Sequence, residues 1–270
     1  MSQEAERSEI TKRKVVCRIP DTPAVMVRRD VGFQPGSRAA LTMDIYTPYD
    51  SRAGTLLPAV VFVLGYPDPG FRAMLGCKQK EMESYISWAR LTAASGLGAV
   101  TYTNEDPEAD LDALLRYIEQ NGASLGIDAK RIGIWSCSGN APTALSLLIK
   151  RAPGIKCAVI CYGLLFDLDE STAVADAAVK WRFANPCGGK SVDDLPQDTP
   201  LLVVRAGRDE FPAVNESIDR FVVKAVKRNL PITFINHAPA PHGFDVIDDS
   251  DASREIIREI AAFSRFHLLK

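Results

Sequence analysis

The sequence carries little net charge and has no long run of apolar residues. Its 270 residues include 32 Lys or Arg and 34 Asp or Glu, which gives a formal net charge of −2. This balance provides no electrostatic reason to expect a nucleic acid or an anionic membrane surface as a partner. The longest apolar runs, at 57–64 and 157–166, are far too short to span a bilayer and are typical of buried strands.

Histidines are scarce, and the cysteines do not form the pairs that hold a metal. None of the three histidines has zinc-like spacing to a cysteine pair, which argues against a structural metal site. The six cysteines include no Cys-x-x-Cys pair, and residues 1–7 are polar, unlike the apolar core of a signal peptide. We therefore expect reduced thiols in a cytoplasmic protein.

Apolar strands alternate with amphipathic helices along most of the chain. Segments 24–31 and 41–47 are predicted to form an antiparallel pair of strands at a sheet edge. Further strands are predicted at 58–64, 97–103, 131–135, 155–162, 201–205 and 232–235. Helices are predicted at 80–94, from Asp106-Pro107 onward, after residue 140, at 213–228 and at 251–266. This pattern is typical of an α/β fold with a mostly parallel sheet covered by helices on both faces.

One segment, 164–199, interrupts this alternation. It is acidic and contains Trp181 and Phe183. We interpret it as a partial lid over the carboxyl edge of the sheet, where ligands bind in such folds. The alternative is a surface loop with a short helix, and the two aromatic residues would line an acyl pocket or pack within the lid. We expect a single domain over 1–270, with 1–13 flexible.

A serine follows the predicted strand at 131–135, in the run Ser-Cys-Ser-Gly-Asn at 136–140. The strand ends abruptly in small residues and a helical pattern follows, so Ser138 is expected on a sharp turn beside the positive end of a helix. A serine in that position is either a helix N-cap or a nucleophile. As a nucleophile it needs a base and a carboxylate that orients the base.

Candidates for both partners follow later strands. Asp209 and His242 each come directly after a predicted strand, so the chain order is Ser, Asp, His. The carboxyl ends of parallel strands meet at one sheet edge, where these side chains would converge on Ser138. Three alternatives stay open: Asp209 caps the helix that begins near residue 213, Glu210 is the acid instead, or His237 takes the place of His242.

Because of these three residues and their order, the chain resembles the α/β-hydrolase superfamily, and within it the dienelactone hydrolase-like and small carboxylesterase branches. The likeness covers nearly the whole chain from about Val31 onward. Four segments carry it: Leu-Thr-Met-Asp-Ile-Tyr-Thr-Pro at 41–48, Val-Phe-Val-Leu-Gly-Tyr at 61–66, Ala-Gly-Arg-Asp at 206–209 and His-Gly-Phe at 242–244. They are similar to an early esterase strand, the oxyanion strand, the acid loop and the histidine loop.

The resemblance implies an esterase that hydrolyses small carboxylic esters through an acyl-enzyme, with no cofactor or metal. It implies Ser138 as nucleophile, His242 as general base and Asp209 as orienting acid. The oxyanion hole would use the backbone N–H groups of Gly139 and Tyr66.

The serine turn departs from the family pattern Gly-x-Ser-x-Gly, with Ser136 and Asn140 at the glycine positions. Both positions must be small because the nucleophile's backbone is strained and closely packed, and asparagine tolerates unusual backbone angles. Two rival hypotheses follow: a lactone hydrolase with Cys137 or Ser138 as nucleophile, and a non-catalytic binding protein. A Cys137 nucleophile would put bulky Trp135 at a position that must be small.

Overall fold

The computed structural model describes residues 9–17, 24–33, 41–51 and 54–270. In this part of the chain eight strands form one sheet in the order β1-β2-β4-β3-β5-β6-β7-β8. The strands are β1 Val25–Gly32, β2 Thr42–Pro48, β3 Leu57–Phe62, β4 Gly98–Tyr102, β5 Ile127–Cys137, β6 Ile155–Cys161, β7 Leu201–Ala206 and β8 Ile232–His237. Strand β2 pairs antiparallel with β1 and β4, and the other pairs are parallel. The predicted fold class and the antiparallel edge pair are confirmed.

Helices connect most of the strands. From residue 68 onward they are α1 Asp68–Leu75, α2 Glu83–Ala94, α3 Pro107–Leu125, α4 Ala141–Ile149, α5 Ala173–Trp181, α6 Pro212–Lys227, α7 Phe244–Ile247 and α8 Asp251–Leu268. Helix α3 begins as predicted, with the Asp106 carboxylate accepting the Ala109 N–H at 3.2 Å. Helix α2 begins later than predicted because a 3₁₀ turn, Gln79–Glu81, precedes it.

The central strands are buried on both faces. Every residue of β4 is buried, and so is every residue of β3 after Leu57. Successive side chains of a strand point to opposite faces, so burial of consecutive residues requires cover on both sides of the sheet. Strand β5 extends further than the predicted 131–135 because Ile127 also pairs with Leu57. It carries Ser138 to the carboxyl edge, where β7 and β8 also end.

Two segments lie outside the regular alternation. Segment 164–199 contains α5 and a 3₁₀ turn at Val192–Asp194. The predicted flexible segment 1–13 lies partly outside the described residues, but the chain just beyond it is anchored. There the Val15 N–H donates to Ser87 Oγ at 3.0 Å and the Val16 N–H to the Asp245 carbonyl at 2.8 Å. No helix within the described ranges is long and apolar enough to cross a membrane.

Candidate active site

Ser138 lies on a sharp turn between β5 and α4. Its φ is +53°, a left-handed conformation that residues other than glycine rarely adopt. A 3₁₀ turn over Ser138–Asn140 leads directly into α4. The Ser138 carbonyl accepts the Leu164 N–H at 3.1 Å, which ties the turn to the chain after β6.

The three residues predicted as nucleophile, base and acid come together in the structure. His242 Nε2 is 3.0 Å from Ser138 Oγ, and His242 Nδ1 is 2.7 Å from Asp209 Oδ2. The other Asp209 oxygen accepts the Phe211 N–H at 2.9 Å, so Asp209 also holds the start of the next segment. The rings of Tyr162 and Phe211 contact the imidazole edge-on, with centroids 4.8 and 4.9 Å away. Both nitrogens of His242 are thus fixed toward defined partners.

The competing residues are placed elsewhere. Glu210 is exposed, whereas the Asp209 side chain is fully buried. His237 is buried, and its Nε2 lies 2.8 Å from the hydroxyl of Ser253 in α8. Burial lowers the pKa of His237, which favours a neutral, structural imidazole.

The chain packs closely around the predicted oxyanion donors, against backbone at Gly65 and against side chains at Gly139. A Cβ on Gly65 would be 2.6 Å from the Gly139 carbonyl oxygen, and one on Gly139 would be 2.5 Å from the Tyr66 hydroxyl. Position 65 therefore requires glycine, because its nearest neighbours are backbone atoms, whereas a side chain at position 139 would displace the rings of Tyr66 and Phe183. The Tyr66 N–H has no hydrogen-bond partner within the part of the chain that the structure describes. Tyr66 and Ser138 border the same cleft.

Asn140 does not adopt the unusual backbone angles expected of it from the sequence. Its φ and ψ are −85° and −13°, ordinary helical values, and the unusual angle belongs to Ser138. The Asn140 side chain is buried and makes hydrogen bonds. Its Oδ1 accepts the Gly65 N–H at 2.6 Å, and its Nδ2 donates to the Tyr85 hydroxyl at 2.8 Å. The contribution of Asn140 to the turn is therefore the hydrogen bonding of its side-chain amide, and its backbone conformation is ordinary.

A cleft of about 520 Å³ opens beside Ser138 and His242. Its lining is mainly aromatic and aliphatic and includes Phe71, Met82, Trp88, Trp135, Trp181 and Phe211. Segment 164–199 contributes Trp181, which packs on Phe211 at 5.8 Å, and Phe183, which packs on Tyr66 at 5.8 Å. The two aromatic residues therefore line the cleft and pack against other residues of its lining. A groove of about 470 Å³ along α8 contains none of the predicted site residues.

Cys137 lies next to the serine but lacks a base. Its Sγ is 3.9 Å from the Tyr85 hydroxyl and 3.8 Å from Asn140 Nδ2, while His242 Nε2 faces Ser138. Burial raises the pKa of the Cys137 thiol to about 12, so the thiol is protonated at neutral pH. All six cysteines, each within the described residues, are free.

A buried carboxylate in the cleft escaped the sequence reasoning. Asp245 accepts Trp88 Nε1–H and the Tyr162 hydroxyl, each at 2.6 Å, and burial raises its pKa. Tyr162 itself has a left-handed backbone, with φ +39°. The only sequence signal was the position of Asp245 directly after the His-Gly-Phe segment. Among the described residues, no group of three or more His, Cys, Asp or Glu is arranged to hold a metal.

Comparison by sequence finds no matching family model and no matching curated protein. Solved structures do match. One is an esterase from Pseudomonas putida, with 13% identity and TM-score 0.69, covering 98% of this chain and 89% of that chain. Another comes from a study of two fungal esterases from Rhizomucor miehei, with 16% identity and TM-score 0.71, covering 99% and 89%. A third is an α/β-hydrolase from the metagenome of Lake Arreo, with 18% identity and TM-score 0.70, covering 99% and 88%.

The chain has the α/β-hydrolase fold. At these identities the likeness shows the fold alone, and the predicted fold is confirmed. Within the α/β-hydrolase fold, Ser138, Asp209 and His242 follow β5, β7 and β8 in that order.

Proposed function

We propose that this protein is a serine hydrolase that cleaves small carboxylic esters through an acyl-enzyme. One observation carries the proposal: a continuous hydrogen-bonded chain joins Asp209, His242 and Ser138, and it opens into an apolar cleft. A serine, a base and an orienting carboxylate in this arrangement form the catalytic triad that enzymes commonly use for nucleophilic acyl transfer. The esterases among the similar structures support the same reaction class.

The reaction would proceed in two halves. Ser138 Oγ attacks the ester carbonyl carbon while His242 Nε2 accepts the serine proton, and the carbonyl oxygen becomes an oxyanion. The N–H groups of Gly139 and Tyr66 would stabilise that oxyanion. Collapse breaks the bond to the alcohol, which leaves with the proton from His242. Water then attacks the acyl-Ser138, passes a proton to His242 and releases the acid, and the serine recovers its proton.

The cleft favours an apolar group on the ester. Its volume of about 520 Å³ lies in the usual range for small-molecule sites, roughly 300–1,000 Å³. Few charged side chains face it, so burial of an aromatic or aliphatic group would provide most of the binding free energy. The dienelactone hydrolase-like branch and the cytoplasmic location stay predictions.

The direct test is hydrolysis of p-nitrophenyl acetate and butyrate by the parent protein and by Ser138→Ala. We expect turnover by the parent and a loss of at least roughly 10³-fold in kcat for the variant, because removing the nucleophile leaves only weak residual catalysis. Circular dichroism of both proteins controls for folding. Equal rates for a folded variant and its parent would refute the proposal.

The two rival hypotheses, a lactone hydrolase and a non-catalytic binding protein, predict different experimental results. A cysteine-dependent lactone hydrolase would lose activity to iodoacetamide at Cys137, and the raised pKa of that thiol argues against it. A lactone hydrolase that uses Ser138 would open lactones and lose that activity in Ser138→Ala. A non-catalytic binder would be stabilised thermally by esters without turning them over.

A further inference from the structure

The side chain of Asn140 joins the serine turn to the strand that precedes Tyr66. Asn140 is 2% exposed, and its amide makes hydrogen bonds at both ends. Oδ1 accepts the Gly65 N–H at 2.6 Å and Gln79 Nε2–H at 3.2 Å. Nδ2 donates to the Tyr85 hydroxyl at 2.8 Å. The side chain does not cap α4, although Asn140 stands at its N-cap position.

The two peptide groups around Gly65 are each fixed by one hydrogen bond. The Gly65 N–H is held by Asn140, and the Gly65 carbonyl accepts the Ala184 N–H at 2.7 Å. That carbonyl and the Tyr66 N–H belong to one planar trans peptide, so they point in opposite directions. Binding the carbonyl to Ala184 therefore directs the Tyr66 N–H away from it. Binding the Gly65 N–H to Asn140 fixes the other side of the residue.

A glycine at position 140 would leave the buried Gly65 N–H without this partner. The pattern that the serine turn resembles has glycine there, whereas Asn140 has a side chain that reaches Gly65. A buried N–H without a partner is unfavourable, and the local backbone would move to find one. Such a movement would carry the adjacent Tyr66 N–H with it.

We propose that Asn140 is a positioning residue for the oxyanion site, which fixes the Tyr66 N–H relative to Ser138. Asn140 does not touch the reacting atoms. It lies two residues after Ser138 and binds the residue before Tyr66, so it links nucleophile and oxyanion donor by one side chain. This inference rests on the proposed serine hydrolase function.

The decisive variant is Asn140→Gly, which restores the family pattern at that position. We expect kcat to fall by roughly 10- to 100-fold, since displacement of a catalytic group by about 1 Å can cost 10²-fold. KM is expected to stay within about threefold, because the oxyanion exists only in the transition state. The matched control is Ser136→Gly, which restores the other glycine. The buried Ser136 hydroxyl has no hydrogen-bond partner in the described structure, so kcat is expected to stay within about twofold of the parent.

A second readout separates positioning from a merely structural role. Ser138 Oγ adds to the carbonyl carbon of an aryl trifluoromethyl ketone, with its proton passing to His242, and the carbonyl oxygen becomes an oxyanion, whereas the matching methyl ketone binds without strong addition. Asn140→Gly should weaken the first inhibitor by about the same factor as kcat/KM and leave the second unchanged. Equal weakening of both inhibitors, or of neither, would overturn the proposal.

A milder variant keeps the test valid if Asn140→Gly does not fold. Tyr85→Phe removes the closer of the two partners of Asn140 Nδ2, leaves Cys137 Sγ at 3.8 Å and keeps the Gly65 bond. We expect a loss of several-fold in kcat and in trifluoromethyl ketone affinity together, and no change in either would contradict the inference. An inactive parent protein whose Ser138 does not react would refute the proposed function. An active parent with an equally active Asn140→Gly would refute the role of Asn140 alone.

Discussion

Ser138 and Asn140 contribute to the nucleophile turn in different ways, one through its backbone and the other through its side chain. Ser138 takes the left-handed backbone angle, and Asn140 keeps a helical backbone and uses its amide. Its partners Gly65 and Tyr85 lie 75 and 55 residues away along the chain. Such contacts depend on how distant elements pack, so residue spacing could predict that position 140 matters but not what its side chain does.

The predicted site residues share a local signal that Asp245 lacks. Ser138, Asp209 and His242 each follow a strand, and parallel strands bring their carboxyl ends to one edge. The partners of Asp245, Trp88 and Tyr162, lie 157 and 83 residues away, and no motif links them. A buried carboxylate can be recognised only when its donors are seen around it.

Replacing Asp209 by asparagine tests its role as the orienting acid. Asp209→Asn removes the negative charge beside His242 and puts an amide against the Nδ1 hydrogen bond. We expect kcat for p-nitrophenyl butyrate to fall by roughly 10³- to 10⁴-fold with little change in KM. Glu210→Gln is the matched control, because Glu210 is exposed, and it should retain parental kcat. Comparable losses in both variants would contradict the assignment.

At the scale of elements, continuous apolar runs were sufficient to predict the central strands, because central parallel strands are buried on both faces. Helix α1 was missed because Pro69 and Gly70 stand in its first turn and suggest a loop. A short helix in segment 164–199 was predicted only as the alternative to a lid, although Val174, Ala178 and Trp181 have helical spacing. The helix has only nine residues and buries only Val174 and Ala178, so its sequence signal is weak.

Helix α5 provides a test of how the cleft limits the substrate. Trp181 ends this helix, lines the cleft and packs on Phe211, which contacts His242. Trp181→Ala would enlarge the cleft. We expect the ratio of kcat/KM for p-nitrophenyl decanoate to that for the acetate to rise by roughly 10-fold, in line with a change of one or two apolar contacts.

The control for this change lies on the same helix. Val179 is 82% exposed, so Val179→Ala should leave the ratio unchanged. A shift of equal size in both variants would show that α5 acts through its stability and not through the Trp181 side chain. No shift in either variant would show that α5 does not limit the bound ester.

At the scale of the whole molecule, the strand order could not be predicted from the sequence. Strand β3 lies between β4 and β5, so the chain crosses over before the sheet continues in sequence order. The choice among such orders depends on the handedness of crossovers and on how all the helices pack, which no single segment encodes. The fold class needs only the alternation of elements and was therefore predictable.

The stability of the whole fold should depend on the titration of His237. Burial lowers the pKa of His237 from its ordinary value of 6.5, although Asp248, 3.6 Å away, acts in the opposite direction. His237 therefore binds a proton less readily in the folded state than in the unfolded chain. Its contribution to the free energy of unfolding is fully present above pH 6.5 and is lost as the pH drops below that value. The free energy of unfolding in urea should decrease between pH 7.5 and 5.5.

The variant His237→Gln isolates this contribution. We expect a smaller decrease over the same pH range, because one buried titratable group has been removed. His267, whose pKa is also lowered by burial, contributes equally to both proteins. Identical pH slopes for parent and variant would contradict the assignment to His237.

The activated state of Ser138 can be measured without knowledge of the substrate. A fluorophosphonate probe reacts with a serine only when a base accepts its proton and the oxyanion is stabilised. We predict a single covalent adduct by intact-mass analysis, located on Ser138 by peptide mapping and absent from Ser138→Ala. A folded protein that forms no adduct, or forms it at another residue such as Cys137, would contradict the proposed serine hydrolase.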